Sequence, residues 1–260
     1  MTETISAAPS EAAPSAFAKV IGVFTSPAKT FEAIARKPGW DWLLPVLLVM
    51  IGFFAAQTAT VPKIDVDDAV KTQMRFVDKM SKGNIPAARR AEIEQQTREG
   101  FEKGKSPVRR ALTSLLVFVP VFFVPLLYHG IAAAFGKKKS YMRVVAGYAY
   151  TQVIQVIPLL LTAVVAWPSE RLEAMDVQFG RVLKSNVGAF LDWDATSKAL
   201  LGLASSIDVF DIWAFFVGSI AVSKTTAFSK SGARWVVGGV WLLYILCKVV
   251  LGALYGAFAG

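Results

Sequence analysis

Few residues of this chain could do chemistry in apolar surroundings, and one lysine stands out among them. Lys248 lies in the run ILCKVVLGALYG, which is otherwise apolar. An unpaired lysine at the centre of a membrane helix costs about 2.5–3.5 kcal/mol on the insertion scale, so a carboxylate partner is expected. Asp208 and Asp211 lie at the start of another apolar stretch and, three residues apart, share a helix face. The sequence therefore predicts a contact between Lys248 and Asp211, direct or through water.

Two uses of this predicted intramembrane polar cluster stay open. The Lys248–Asp211 pair either fixes the register of two helices or forms the proton- or ion-responsive site of a carrier. Gln152 and Gln155 share a face of a third apolar stretch, where they either hydrogen-bond between helices or line a solute path. We favour the structural use, because the sequence shows no inverted repeat of the kind found in many carriers.

Small residues follow Lys248 on the same helix face. Gly252 and Gly256 form a small-xxx-small pair, which lets a second helix approach closely within a membrane. The sequence therefore predicts that these glycines pack against another helix and that Lys248 faces protein and not lipid.

Recognisable catalytic and metal-binding patterns are missing from the sequence. The chain has one cysteine, Cys247, and one histidine, His129, which argues against a His/Cys metal cluster and against most nucleophilic chemistry that uses Cys-His or Ser-His pairs. The segment GFEKGKS resembles a phosphate-binding loop, but it has three residues between its glycines where the pattern needs four. We expect no enzyme activity, no cofactor and no metal.

The composition indicates a membrane protein. Of the 260 residues, 54% are hydrophobic, and the mean hydropathy is +0.48. The apolar residues are clumped into long runs and do not recur at a helical or strand period. The net charge of +9 would suggest nucleic acid in a soluble protein. Here basic loops on the cytoplasmic side explain it better, so no nucleic-acid partner is expected.

Five apolar stretches approach the length of about 20 residues that a membrane-crossing helix needs. They cover residues 42–61, 111–135, 144–167, 207–222 and 235–259. The fourth stretch is the weakest, because two aspartates lie at its start. The predicted fold is all-α: a polytopic membrane protein with a five-helix transmembrane bundle and a polar helical insert, residues 62–110, between the first two spans.

Basic residues in the short loops predict the orientation. The loops GKKKSYMR and SKTTAFSKSGAR carry basic residues and no acidic ones, so both should be cytoplasmic. Five spans then place the N-terminus in the cytoplasm and the C-terminus outside. Residues 1–15 are predicted to be a disordered tail. Residues 16–41 are predicted to form interfacial helices on the cytoplasmic face, and a packed cap over the bundle is an equal alternative.

Three segments carry a resemblance to a known family. They are VFTSPAKTFEAIARKPGWDWLLPVLLV, KKSYMRVVAGYAYTQVIQVIP and SSIDVFDIWAFFVGSIAVS. Together they resemble the Yip-domain proteins, the Ypt/Rab-interacting protein family, and especially its bacterial branch. The resemblance implies a five-span helical bundle with a cytoplasmic N-terminus, and it makes Asp208, Phe210 and Trp213 the positions of the family core.

The resemblance also bears on function. Eukaryotic members of the family act in vesicle traffic and bind Rab-type GTPases, but nothing in this chain reads as a Rab-binding motif, so that role is not carried over. We predict a non-enzymatic protein of the inner membrane that acts as a scaffold or organises the membrane. Its expected partners are membrane lipids, another protein or a second copy of itself. The alternative is a small carrier or channel that uses Lys248, Asp211 and the polar face of the third span.

Overall fold

The computed structural model describes residues 14–81, 84–178, 180–192 and 195–259, and these form helices without a strand longer than an isolated bridge. The first three helices are α1 (Ala16–Thr25), α2 (Pro27–Arg36) and α3 (Leu43–Thr60). The polar insert contains α4 (Val66–Met80) and α5 (Ala87–Gly104). The next two apolar stretches contain α6 (Pro107–Ser114), α7 (Phe118–Ala134), α8 (Tyr141–Thr151) and α9 (Val156–Ala166). The last four helices are α10 (Ala174–Gln178), α11 (Lys198–Ala204), α12 (Val209–Thr225) and α13 (Lys230–Ala259).

Four stretches of helix in the described part of the chain are long and apolar enough to cross a membrane. They are Trp40–Lys63, Pro107–Ala134, Tyr141–Ala166 and Lys230–Leu251. The helix at the fourth predicted span, α12, has 17 residues. That length corresponds to about 25 Å at 1.5 Å per residue, less than the ~30 Å of a hydrocarbon core. The predicted all-α membrane bundle is confirmed, whereas the predicted count of five spans is approximate.

The two basic loops meet at one end of the bundle. The N–H of Ala227 donates to the carbonyl of Lys137 over 2.9 Å. The Lys224 ammonium, at the end of α12, pairs with Glu32 of α2 over 3.2 Å. Hydrogen bonds from Arg36, which has the larger effect, and from Lys224 hold the pKa of Glu32 below its usual value. The end of α12 and the start of α13 therefore lie with both basic loops.

Both long polar segments lie at the opposite end. The Lys63 ammonium, at the end of the first span, donates to the carbonyl of Ala166 over 2.7 Å. Asp65 of the insert pairs with Arg171, which follows the third span, over 2.7 Å. α13 also contacts α4 of the insert. We call this the insert end of the bundle.

The chain returns from the insert end through a broken helix. α11 and α12 both pack against α13, and the residues between them, 205–208, are not helical. The buried hydroxyl of Ser206 donates to the carbonyl of Gly202 over 2.8 Å, and the carboxylate of Asp208 accepts the N–H of Phe210 over 2.8 Å. Exposed backbone polar groups need such partners at membrane depth, because hydrocarbon offers none. The break explains why α12 alone is shorter than the bilayer core.

Gly202 sets the distance between α11 and α13. A Cβ at this position would lie 2.9 Å from the carbonyl oxygen of Lys248, and a backbone atom cannot turn aside as a flexible side chain can. We expect Gly202→Ala to lower the free energy of unfolding by about 1–3 kcal/mol, the usual effect of overpacking, as measured by denaturant unfolding in detergent. Gly239→Ala is the control, since no atom lies within 4 Å of a Cβ there. Equal losses in both variants would contradict this close approach.

α1 and α2 pack against the bundle, mainly on α8 and α12. Val23 and Phe31 are 1% and 0% exposed and belong to the same core as Tyr150 of α8. Phe17, on α1, stays exposed. One face of these helices therefore packs on the bundle, and whether they also lie on lipid stays a prediction. The predicted disordered tail, residues 1–15, falls almost wholly outside the described residues.

Candidate functional site

A cavity of about 380 Å³ lies inside the bundle between α7, α8, α12 and α13. This volume is within the range of ligand pockets, roughly 300–1,000 Å³. Its walls are mostly apolar, and polar side chains line it from several helices. These are Tyr128, Tyr148, Thr151, Gln152, Gln155, Asp211, Thr225 and Tyr244. The cavity is partly open at the surface of the protein.

One face of α12 forms a wall along the whole cavity. Asp211, Phe215, Gly218, Val222 and Thr225 line it, and they recur at the three- and four-residue spacing of one helix face. From Asp211 to Thr225 this face extends over about 21 Å at 1.5 Å per residue. The cavity is therefore an elongated slot, with a carboxylate at the end from which α12 starts.

The slot has its hydrogen-bonding groups concentrated at the Asp211 end. Gln155 donates from Nε2 to Asp211 Oδ1 over 3.1 Å. Gln152 and Gln155 lie in a 3₁₀ turn between α8 and α9, and side chains three residues apart eclipse in such a turn, so both amides line the slot. In the described part of the chain, Asp211 Oδ2 and the amide of Gln152 have no hydrogen-bond partner, and neither is sealed from the slot. The structure thus brings together three of the five residues of the predicted cluster.

Asp208 and Lys248 lie beside the slot and do not line it. Asp208 is the N-cap of α12, and its carboxylate accepts hydrogen bonds from the Phe210 N–H and the Ser185 hydroxyl. The Lys248 ammonium lies 5.4 Å from the centre of the Tyr244 ring. Among the described residues no salt bridge joins it to a carboxylate, although Asp211 and Asp208 act on it electrostatically. A contact between Lys248 and Asp211 through water stays a prediction.

Lys248 lies far along α13 from the basic loops, whereas the sequence predicts that it lies near the membrane midplane. α13 starts beside the basic loops at Lys230, and Lys248 follows 18 residues later, after about 27 Å of helix. The helix is 30 residues long, and it contacts α4 of the insert. Its apolar pattern does not mark where the bilayer ends. Gly252 and Gly256 are helical, but their surroundings, and hence their predicted packing role, lie outside the described residues.

Phe210 and Trp213 connect α12 to the rest of the fold. Phe210 packs against the main core. The Trp213 ring meets the Phe24 ring of α1 edge to face, with 5.5 Å between their centres. Together with the cap that Asp208 provides, these contacts hold the first turns of α12 in place, and they thereby position Asp211 in the slot.

Sequence reasoning missed a second polar cluster, which joins α1 to the bundle. Lys19 is 7% exposed, and its ammonium pairs with the carboxylate of Asp41 in the turn before α3. The hydroxyl of the buried Tyr150 donates to the same carboxylate over 3.2 Å. The signal that could have found Lys19 is its position one turn before Val23, on the face of α1 that packs inward.

The single histidine and the single cysteine of the chain do not line the slot. The His129 ring meets the Tyr141 ring edge to face, with 5.6 Å between their centres, and Cys247 is exposed on α13. Within the described ranges, no three His, Cys, Asp or Glu side chains are grouped so that they could hold a metal ion. The slot is the candidate site, and it offers hydrogen-bonding groups in mainly apolar walls.

Comparison with protein families gives a match over most of the chain. Residues 21–252 match the family model described as Yip1 domain. The matched range includes every residue that lines the slot and the break before α12. Neither the curated proteins nor the solved structures gave a match.

Proposed function

Because the chain belongs to the Yip1 domain family, we propose that it is a non-enzymatic protein that organises the membrane by binding lipid within the bilayer. The observation that carries this proposal is the slot between α7, α8, α12 and α13. It lies between α12 and three stretches of membrane-length helix, is partly open at the surface and has mainly apolar walls. Its length of about 21 Å exceeds the ~15 Å of one leaflet of hydrocarbon. We therefore place one lipid tail along it.

The surroundings of the bundle fit the same role. Large apolar side chains on the outward faces of α3, α7 and α13 are exposed on the isolated chain; examples are Ile51, Phe123, Leu126 and Leu242. In a bilayer these faces contact lipid, a protein partner or a second copy of the chain. The scaffold role uses these faces, and it needs neither a cofactor nor a nucleic acid. A Rab-type GTPase is not part of the proposal.

We place the protein in the inner membrane of a bacterium, with the N-terminus in the cytoplasm. The support is the charge of the end at which both basic loops meet, since Lys and Arg near the membrane are retained on the cytoplasmic side. Lys137, Lys138, Lys139, Lys230 and Arg234 are all exposed there. The insert end and the C-terminus then lie outside the cytoplasm.

A small carrier is the second candidate function, and one observation favours it. Asp211, Gln152 and Gln155 line the same slot, beside a broken helix of the kind that forms binding sites in many transporters. Lys248 does not line the slot, so the full polar path expected for a carrier is incomplete. Flux of amine or cation into proteoliposomes separates the two functions, because a lipid-binding protein leaves the flux at background.

Retention of lipid by the purified protein tests the proposed function. We expect native mass spectrometry in mild detergent to show one lipid bound to the wild-type chain. Ala214→Phe places a ring in the slot, and it should reduce the bound fraction by about tenfold or more, since it removes the space for the tail. Ala133→Phe is the matched control, because Ala133 is exposed and does not line the slot. A wild-type chain without bound lipid, or equal loss in both variants, contradicts the proposal.

A further inference from the structure

The Asp211 end of the slot presents hydrogen-bond acceptors that receive no donor from the described part of the chain. The Trp241 N–H and the Tyr244 hydroxyl also line the slot, but neither donates to these oxygens. Asp211 Oδ1 accepts from Gln155, whereas no donor of the described chain serves Asp211 Oδ2. The side-chain oxygen of Gln155, whose amide nitrogen is already used, also lacks a partner within the described ranges. A carboxylate oxygen and glutamine amides that line one slot suit a ligand with several N–H donors and a positive charge.

The charged groups around Asp211 do not cancel its charge. Asp208 and Lys248 are the other charged side chains that act on it electrostatically. The Asp208 oxygens are occupied by the Phe210 N–H and the Ser185 hydroxyl. Lys248 lies outside the slot lining and forms no salt bridge with a described carboxylate. Two carboxylates and one ammonium leave a net negative charge in this region. Of these groups, the unbonded oxygen of Asp211 faces the slot.

The break before α12 makes this depth suitable for a polar group. Residues 205–208 are not helical, and Ser205 and Ser206 are buried there. Polar groups at membrane depth are tolerated where protein or a cavity surrounds them. From Asp211 the slot continues along mainly apolar walls toward Thr225. A ligand with a polar head group at Asp211 and an apolar tail along α12 matches both the polar end and the apolar walls of the slot.

We propose that the Asp211 end of the slot binds the primary ammonium head group of an aminophospholipid whose tail lies along α12. This inference rests on the proposed function and names the class of its lipid. The ammonium donates to Asp211 Oδ2 and to the side-chain oxygen of Gln155 or Gln152. A quaternary ammonium has no N–H to donate, and an anionic head group is repelled by the carboxylate. The site therefore selects phosphatidylethanolamine over phosphatidylcholine and phosphatidylglycerol.

Competition between lipids with identical tails tests the selection. Full-length protein is incubated in detergent with equal amounts of phosphatidylethanolamine, phosphatidylcholine and phosphatidylglycerol, and the bound lipid is identified by native mass spectrometry. We expect the wild-type chain to prefer phosphatidylethanolamine over phosphatidylcholine by about tenfold, as for loss of a charge-assisted hydrogen bond. Asp211→Asn keeps the side-chain shape and should reduce the preference to about twofold or less.

The control is Asp67→Asn, the same change at an exposed carboxylate of the insert, and it should leave the preference unchanged. Gln155→Leu is the second variant in case Asp211→Asn does not fold, and it should weaken the preference by about threefold, since it removes one acceptor and the partner of Asp211. Equal retention of the three lipids, a preference for phosphatidylglycerol, or full selectivity in Asp211→Asn overturns the inference. In those outcomes bound lipid persists and the proposed function stands, whereas a chain that retains no lipid contradicts the proposed function itself.

Discussion

Replacing Asp41 by asparagine is expected to lower the free energy of unfolding by about 1–3 kcal/mol, between the effects of breaking an exposed and a fully buried ion pair, because the Asp41 side chain is 24% exposed. Lys19 is 7% exposed, and the carboxylate of Asp41 is the partner of its ammonium. The substitution leaves a buried positive charge without its counter-charge, and it weakens the hydrogen bond that the Tyr150 hydroxyl donates. Unfolding by denaturant in detergent, followed by circular dichroism, measures the change.

Two further variants show whether burial is the cause. Asp67→Asn removes a carboxylate from an ion pair with Arg98 in which the side chains are 75% and 48% exposed, and exposed pairs contribute about 0–1 kcal/mol. Lys19→Met combined with Asp41→Asn removes both charges, so the double variant should recover much of the stability lost in Asp41→Asn. If Asp41→Asn is no more harmful than Asp67→Asn, the cluster does not hold α1 to the bundle.

Replacing Phe31 by alanine is expected to lower the free energy of unfolding by about 3–5 kcal/mol, as for other large-to-small changes in a packed core. Phe31 is 0% exposed and belongs to the main core, although it lies in α2 and outside the membrane-length helices. The loss combines the removed apolar contacts with the cavity that remains. The same denaturant measurement in detergent reports it.

Phe17→Ala is the matched control, because it makes the same change on α1 at a side chain that is 65% exposed. A packed cap predicts a large loss for Phe31→Ala and a loss below about 0.5 kcal/mol for Phe17→Ala, as for surface substitutions. If the helices only lie on lipid, Phe17→Ala should weaken binding to vesicles more than Phe31→Ala does, because the outward ring of Phe17 would then contact the lipid. Equal effects of the two variants would count against the cap.

The sequence predicted the class of fold well, because the hydrophobic effect acts on whole stretches of chain. Clumped apolar runs mark the helices that enter a membrane whatever their neighbours are. The exception was α12. Its predicted span, residues 207–222, contains most of α12 and the last two residues of the break at residues 205–208, but the prediction gave no sign of a break or of α11 before it. A break in a helix is stabilised by hydrogen bonds to the residues of the break. An average of hydropathy over a stretch of sequence contains no information about such bonds.

The candidate site was only partly predictable. Asp211, Gln152 and Gln155 stand out in sequence because polar side chains in apolar stretches are costly and need a reason. Their meeting at one end of a slot depends on how α8, the turn after it and α12 pack. Lys19 escaped notice, because a lysine near the start of a membrane protein is expected to face water or head groups.

By itself, then, the sequence determined that the chain is a helical membrane bundle and which of its residues are out of place in hydrocarbon. Tertiary structure alone decided that Lys19 pairs with Asp41, that Gln155 binds Asp211 and that Lys248 stands beside the slot without lining it. The physical reason is that the two kinds of interaction depend on different parts of the chain. Burial in a bilayer depends on the composition of each stretch, whereas a salt bridge or hydrogen bond needs atoms from different helices within about 3–4 Å, and only helix packing sets those distances.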